Sequence, residues 1–444
     1  MRFAHAICVL VWTAWAIAPT FANEPIDRRA LVTRHHPVVD SFDVESPFSV
    51  GNGQFAFTAD VTGLQTFAEE YDATIPLGTL SHWGWHSFPN PDGWTIEKYH
   101  FTEFDAAGRL VGYADIPGDV RTPEVTYLRG NPHRLHLGRI GFRLTHADGR
   151  RAVPGDLQNI RQTLNLWDGI LVSQFVFDGQ PVSVETVCHP TLDLLAVRVV
   201  SPLLAMGRLA VEVRFPYGTG DVKTADWSKP AAHTTTLSHP APNAARFARQ
   251  LDDDRYEASA SWSPGGELNE VGRHEYVLTP AKESLELEFA IHFTPHEARD
   301  APPSIADSKT AAREHWNNFW STGGAIDLSR RRAPRWGELE RRIGLSQYLP
   351  AIQETGLTYN SWEGKFHLEM HWWHGVHFAL WDRWPLLERS LDYYRRILPK
   401  AKATAQRQGY TGARWPKMTG PTGDESPSTI GPFLIWQQPH PIYF

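Results

Sequence analysis

Residues 23 to about 295 alternate apolar and polar positions. Leu209-Ala210-Val211-Glu212-Val213-Arg214-Phe215 and Leu285-Glu286-Leu287-Glu288-Phe289 put an apolar side chain at every second residue, as strands with one buried face do. Asp148-Gly149 and Asp178-Gly179 fall between apolar runs, where tight hairpin turns are expected. Ile170 to Val176 and Val182 to Val187 flank the second of them. Many short strands with frequent turns predict a large antiparallel β-sandwich, and no solenoid or propeller period runs through it.

The period changes after Pro302-Pro303. Ser304 to Trp320 reads as a helix bearing Trp316, Phe319 and Trp320, ended by Ser321-Thr322-Gly323-Gly324. The basic run Arg330-Arg331-Arg332-Ala333-Pro334-Arg335 is expected to be a solvated linker, too small for a nucleic-acid patch. From Trp336 onward the period is 3.6. Leu339, Ile343, Tyr348 and Leu349 mark one helix, and a second should begin near Phe366. A third should run from Pro385 to Gly409, with Leu387, Leu391, Tyr394 and Leu398 as its apolar stripe. The expected organisation is a β-domain (23–300), a helical linker (301–334) and an α-domain (335–444). Ile430 to Phe444 starts a fourth apolar segment with no cap or polar tail, so the expectation is a fragment whose inner helix faces lack partners.

Composition narrows the class. At 444 residues the chain exceeds the roughly 250–300 at which single cores stop growing, so two domains are the default. With 41% hydrophobic and 21% charged residues, disorder is excluded, and a net charge of −7 argues against nucleic acid as a partner. Arg2, the apolar run Phe3 to Ala18 and Pro19-Thr20-Phe21-Ala22 read as a cleavable signal peptide over 1–22. That run is shorter than the ~20 residues a membrane span needs, and no other stretch qualifies, so a secreted or periplasmic protein is expected. Cleavage would remove Cys8 and leave Cys188 alone, so stability is expected to rest on core packing rather than a disulfide. The oligomeric state is not set by sequence.

Candidate chemistry concentrates in two stretches, Gly356 to His374 and Gly409 to Met418, the latter continuing through Gly423-Asp424-Glu425-Ser426 to Gln437, Gln438 and His440. Both mix Trp, of which the chain has 18, with charged and amide groups. A sugar site needs that mixture: flat rings cover the C–H face of a pyranose, and carboxylates, amides and Lys bond its hydroxyls. Trp362, Lys365, His367, Glu369, Arg414, Trp415, Lys417, Glu425 and Gln437 are the substrate-binding candidates, although any one Trp could equally be core. His367, His371 and His374 stand at i, i+4 and i+7, one helical face with Glu369 nearby, which makes a metal site the competing reading. The glutamate does not follow the first histidine as in H-E-x-x-H, so no metal is expected, and no cofactor. Neither a G-x-S-x-G elbow nor a G-x-x-x-x-G-K loop is present. Gly51-Asn52-Gly53 reads as a turn, and Cys188 beside His189 as a buried structural thiol.

Several of these motifs are similar to those of the six-hairpin glycosidases, in particular glycoside hydrolase family 65 and its neighbour family 95. Ser49-Val50-Gly51-Asn52-Gly53-Gln54 is similar to the G-N-G segment of their sandwich, and Gly356-Leu357-Thr358 to the start of their substrate loop. Gly364-Lys365-Phe366-His367-Leu368-Glu369 stands where the family has G-H-x-F-W-D. Gly409-Tyr410-Thr411-Gly412-Ala413-Arg414-Trp415-Pro416 matches G-Y-x-G-A-x-[YF]-P, and Gly423-Asp424-Glu425 a G-x-E turn.

The resemblance implies an N-terminal β-sandwich (supersandwich), a helical linker and the first helices of an incomplete (α/α)6 barrel. It makes Glu369, Trp415 and Glu425 sugar-contacting, and puts the general acid beyond Phe444. Lys365, Leu368 and Glu369 depart from the family's His, Trp and Asp at positions that hold the −1 sugar, so an α-glucoside need not be the substrate. The implied function is an exported, inverting glycoside hydrolase acting on an oligosaccharide or glycoside, inactive as this piece. Inversion needs a carboxylic acid on the leaving oxygen and a base or phosphate on the far face, and export favours water as the nucleophile. Glu369 and Glu425 could themselves be that pair. The rival readings are a non-catalytic carbohydrate-binding protein and a His-based metal enzyme.

Overall fold

The structure, a computed structural model, describes residues 25–297, 301–353 and 365–444. The expected signal peptide and Gly356-Leu357-Thr358 lie outside the described residues.

The alternating region forms sheets that share one core. A nine-stranded antiparallel sheet runs in the order Val38–Val39, Leu157–Asn165, Ile170–Phe177, Gln180–Cys188, Leu194–Val200, Glu286–Thr294, Asp254–Trp262, Ala244–Leu251, His233–Ala241. Four strands (Glu267–Gly272, Glu275–Thr279, Leu209–Arg214, Arg139–Leu144) and three (Phe48–Gly51, Phe55–Ala59, Thr79–Ser81) make two smaller sheets. Asp178 and Gly179 both have positive φ, 47° and 73°, as a two-residue hairpin joining Phe177 to Gln180 demands. The Asp148-Gly149 turn closes only a narrow bridge between Thr145 and Arg151. Phe175, Phe177, Val184 and Val197 of the large sheet meet Phe55 and Phe57 of the three-stranded sheet and Ile140, Phe142 and Val211 of the four-stranded one. Each such burial is worth about 1.5–3 kcal/mol, so this core dominates the fold. Cys188 is buried within it and its thiol is pushed well up by burial, while the His189 ring nitrogen accepts from the Leu192 N–H, so no thiol–imidazole pair forms.

The linker helix is Ile305–Ser321, capped by the Ser304 hydroxyl accepting from the Asp307 N–H. It lies on the sandwich with Trp316, Phe319 and Trp320 buried, and Trp320 Nε1 donates to the Leu166 carbonyl at 2.6 Å. Gly169 is required there: at φ 70°, an added Cβ would sit 2.0 Å from Trp316 Cδ1. Arg28 closes the helix C-terminus, donating to the carbonyls of Trp320, Thr322 and Gly323.

The next helix, Trp336–Gln353, buries only part of the stripe expected from the sequence: Tyr348 is buried and Ile343 half-buried, but the two leucines are not. Leu339 is 53% exposed and Leu349 is exposed as well, while Glu340, Gln347, Tyr348, Ala351 and Ile352 face inward. Glu340 turns in because Arg34 (2.7 Å) and His35 (2.6 Å), some 300 residues away, pair with its carboxylate. Tyr348 OH donates to the Ser49 carbonyl at 3.2 Å, and the Gly53 N–H to the Ile352 carbonyl at 2.8 Å. Gly51-Asn52-Gly53 is therefore a turn, as read, and it also clamps the sheet to this helix.

The helix expected near Phe366 begins five residues later. Phe366–His367 is a short strand paired antiparallel with Met418–Thr419, a 3-10 turn covers Leu368–Met370, and the helix is His371–Leu380. A distant strand partner outcompetes local helix propensity here. The long helix Trp384–Arg407 has Pro385 in its first turn and Gly409 at φ 72° beyond its end. Its inner face packs Tyr393, Tyr394, Ile397 and Ala401 against Phe366, Leu368 and Trp415. After Ile430 the chain makes a 3-10 turn at Gly431–Phe433 and a short helix at His440–Tyr443, with Ile435, Trp436, Ile442 and Tyr443 exposed. No helix among the described residues is long and apolar enough to cross a membrane.

Candidate functional site

The two-stranded ladder positions the site. Phe366 pairs with Thr419, and Thr419 bridges to Glu425 on its other side. Residues directly opposite in adjacent strands share a face, so Phe366, Thr419 and Glu425 look one way and His367 and Met418 the other. The first face packs on the long helix: Thr419 Oγ1 hydrogen-bonds Tyr393 OH at 2.5 Å, and Glu425 Oε2 accepts from Arg407 Nη2 at 2.8 Å. On the second face Glu369 Oε1 lies 3.6 Å from His367 Nδ1 and 3.5 Å from Lys417 Nζ. Glu369 and Glu425 thus belong to separate ion-pair systems.

The 3-10 turn that presents Glu369 is pinned at both backbone polar groups of Leu368. Its N–H donates to the Lys417 carbonyl at 2.9 Å, and its carbonyl accepts from His440 Nδ1 at 3.0 Å. The Glu369 carboxylate is nearly buried, and its neighbours stand beyond ordinary hydrogen-bond length, so Oε1 keeps lone-pair capacity for a ligand hydroxyl. Lys365, also buried, donates to the Asn131 carbonyl of a sandwich loop. Burial pulls its amine down to about 7, with Asp424 opposing and Arg129 assisting.

The remaining candidates fall elsewhere. Trp362 lies outside the described residues. Trp415 is packed edge-on to Tyr394, ring centroids 5.1 Å apart, within the core under the long helix. Gln437 is fully buried, and its amide donates to the carbonyls of Trp415 (3.2 Å) and Leu434 (2.8 Å). Arg414 stacks over Tyr113 at 5.2 Å, facing the sandwich. The histidine triplet does not share a helical face, because His367 is on the strand. His371 is buried with one ring nitrogen bonded to Tyr394 OH (3.1 Å) and the other to Ser390 Oγ (2.9 Å), and burial holds its pKa near 3. No group of three or more His, Cys, Asp or Glu among the described residues could hold a metal ion.

Two features were missed in the sequence. Trp372, Trp373, Trp436, Pro439, His440 and Tyr443 surround an open apolar hollow of about 500 Å³, which His440 joins to the Glu369 turn. The Trp372-Trp373 dipeptide was the available signal. The sandwich also reaches the site: Trp85 packs edge-on against Phe366 at 5.1 Å, and Arg134 stacks over Trp85 at 4.8 Å. Nothing local in the sequence marked that pair.

No protein-family model matches the chain, and no curated protein matches it in sequence. Among solved structures, a protein from the human microbiome provisionally named a kojibiose phosphorylase superposes with a TM-score of 0.57 at 12% identity. The match covers 89% of this chain and 53% of that one, so the chain spans about half the length of the phosphorylase. A bacterial glucoamylase complexed with acarbose (TM-score 0.44, 12% identity) covers 65% of this chain and 47% of its own. A family GH92 alpha-mannosidase from Bacteroides thetaiotaomicron (0.30, 8%) covers 66% and 43%. Likenesses of those last two sizes do not establish a common architecture. The first shows a shared fold, in keeping with the resemblance seen in the motifs.

Proposed function

We propose that this chain is the N-terminal part of an exported glycoside hydrolase that cleaves an oligosaccharide or glycoside with inversion. On this reading the sandwich (23–300) and linker (301–334) support the first helices (335–444) of an (α/α)6 barrel, whose later helices carry the general acid. The observation that carries it is the Glu369 carboxylate, held between His367 and Lys417 on a pinned turn and free to accept a sugar hydroxyl. The fold shared with the phosphorylase supports the class of chemistry, and its greater length supports a longer enzyme. Exposed Trp373, Leu380, Trp436 and Ile442 support further helices covering that side. Water as nucleophile rests on export, since a sugar phosphate made outside the cytoplasm is hard to recover.

A longer chain carrying the remaining helices should release reducing sugar from its glycan, and Glu369→Gln should reduce that release by about tenfold or more. Unchanged turnover in the variant would remove Glu369 from the site. The open Trp372, Trp373 and Trp436 hollow favours a second reading, a carbohydrate-binding protein without turnover. That reading predicts glycan binding with no product even from the longer chain.

A further inference from the structure

The guanidinium of Arg134 is buried, 7% exposed, yet no carboxylate pairs with it among the described residues. Nη1 donates to the His82 carbonyl at 3.3 Å, its face lies on Trp85, and Nε has no partner. A buried cation without a counter-charge is costly, and burial alone pulls this one down to about 10. Arg139, another buried arginine of the sandwich, is paired with Glu69. Arg134 lines a hollow of about 420 Å³ between the three-stranded sheet and the end of the Trp336–Gln353 helix. Ser49, Thr58, Gln54 and His82 add polar groups, and Phe55, Leu80 and Ile352 apolar surface, within the size range of small-molecule sites. His82 Nδ1 is likewise buried without a hydrogen-bond partner. The lining has one carboxylate, Glu45, which is exposed. Asp193, the acidic group that acts on His82, is already engaged by Ser81 Oγ (2.5 Å) and Trp83 Nε1 (2.6 Å).

We infer that this hollow is an anion subsite, in which Arg134 and His82 take a negatively charged group carried by the saccharide, a uronate carboxylate or a sulfate ester. The missing counter-charge would come from the ligand, where a planar fork of donors suits an oxyanion. Trp85, under the Arg134 guanidinium, also packs edge-on against Phe366 of the strand that precedes the Glu369 turn, so the hollow and that turn belong to one packed unit. This inference rests on the carbohydrate reading above.

The test is calorimetric titration of the described chain with neutral, uronate-bearing and sulfated forms of the same oligosaccharide, and with inorganic sulfate and phosphate. Wild-type protein should prefer an acidic form by about tenfold or more. Which acidic form wins distinguishes the two sources of charge. Arg134→Met should erase the preference, keep neutral-sugar affinity and leave the melting temperature unlowered, since it removes an unpaired buried charge. His82→Asn should weaken the preference in part. Equal affinity for all forms, a preference that survives Arg134→Met, or tighter binding of inorganic phosphate than of any acidic sugar overturns the inference. If no saccharide binds at all, the carbohydrate reading fails. An Arg134-dependent rise in melting temperature with inorganic sulfate would then retain the anion site itself, and its absence would overturn that too. Glu369→Gln should leave the sulfate response intact, which separates the two sites.

Discussion

The sandwich and the helical part bury their aromatic groups to different degrees. In the sandwich Phe55, Phe57, Phe177, Phe247 and Phe293 are fully enclosed by sheets that cover one another. In the helical part Phe366, Tyr393 and Tyr394 form a small core, while Trp373 (63%), Trp436 (50%) and Ile442 (86%) stand in solvent. A strand pair can bury its inner face against a sheet already present. An amphipathic helix pair buries one stripe and leaves the flanks to later neighbours. Stability is therefore concentrated in the sandwich, whereas the proposed Glu369 contact lies on the less covered part.

Trp316→Ala should break this division most severely, costing about 3–5 kcal/mol because it opens a cavity where the linker helix meets the sheet. Urea unfolding should show the loss across the whole transition. Arg28→Ala should cost less, about 1–2 kcal/mol, by freeing the last carbonyls of the same helix.

Acid should weaken both parts. Burial, the largest cause in each case, lowers His136 and His233 in the sandwich and His371 in the helical part to about 3. The unfolded chain takes these protons below about 6.5 while the fold refuses them, so this stability is present above 6.5 and is lost as pH falls toward 3. Lys365 carries the same sign at higher pH. Its folded pKa of about 7 lies below the ordinary lysine value, so its burial penalty is full below 7 and is relieved as pH rises from 7 towards 10. Melting temperatures across pH 4.5–9.5 should rise with pH, and Lys365→Met should flatten the upper limb. The smallest effect belongs to Ile442→Ser, which should shift stability by no more than about 0.5 kcal/mol while reducing dye binding to the exposed patch.

Much of the sandwich could be read from the sequence because strand alternation and the Asp178-Gly179 turn are local signals. The long helix was legible for the same reason, from Pro385 to Gly409. The buried face of Trp336–Gln353 was legible only in part, because Arg34 and His35 draw Glu340 inward from the far end of the chain. Phe366–His367 was misread as helical because its partner, Met418–Thr419, lies some fifty residues on. At the site, motif spacing picked out Glu369, His367 and Lys417, which meet. It could not separate them from Trp415 and Gln437, whose roles depend on Tyr394 packing and on backbone carbonyls. Arg134 carried no local pattern, since its isolation from carboxylates exists only in three dimensions.

The most direct measurement is the affinity of a glycan for the wild-type chain and for Glu369→Gln, with the melting temperature of both recorded. The account predicts a loss of about tenfold or more in a variant that stays folded but melts somewhat lower, since the proposed ligand contact is also the counter-charge of the nearly buried Lys417. Equal affinity in the two proteins would contradict it.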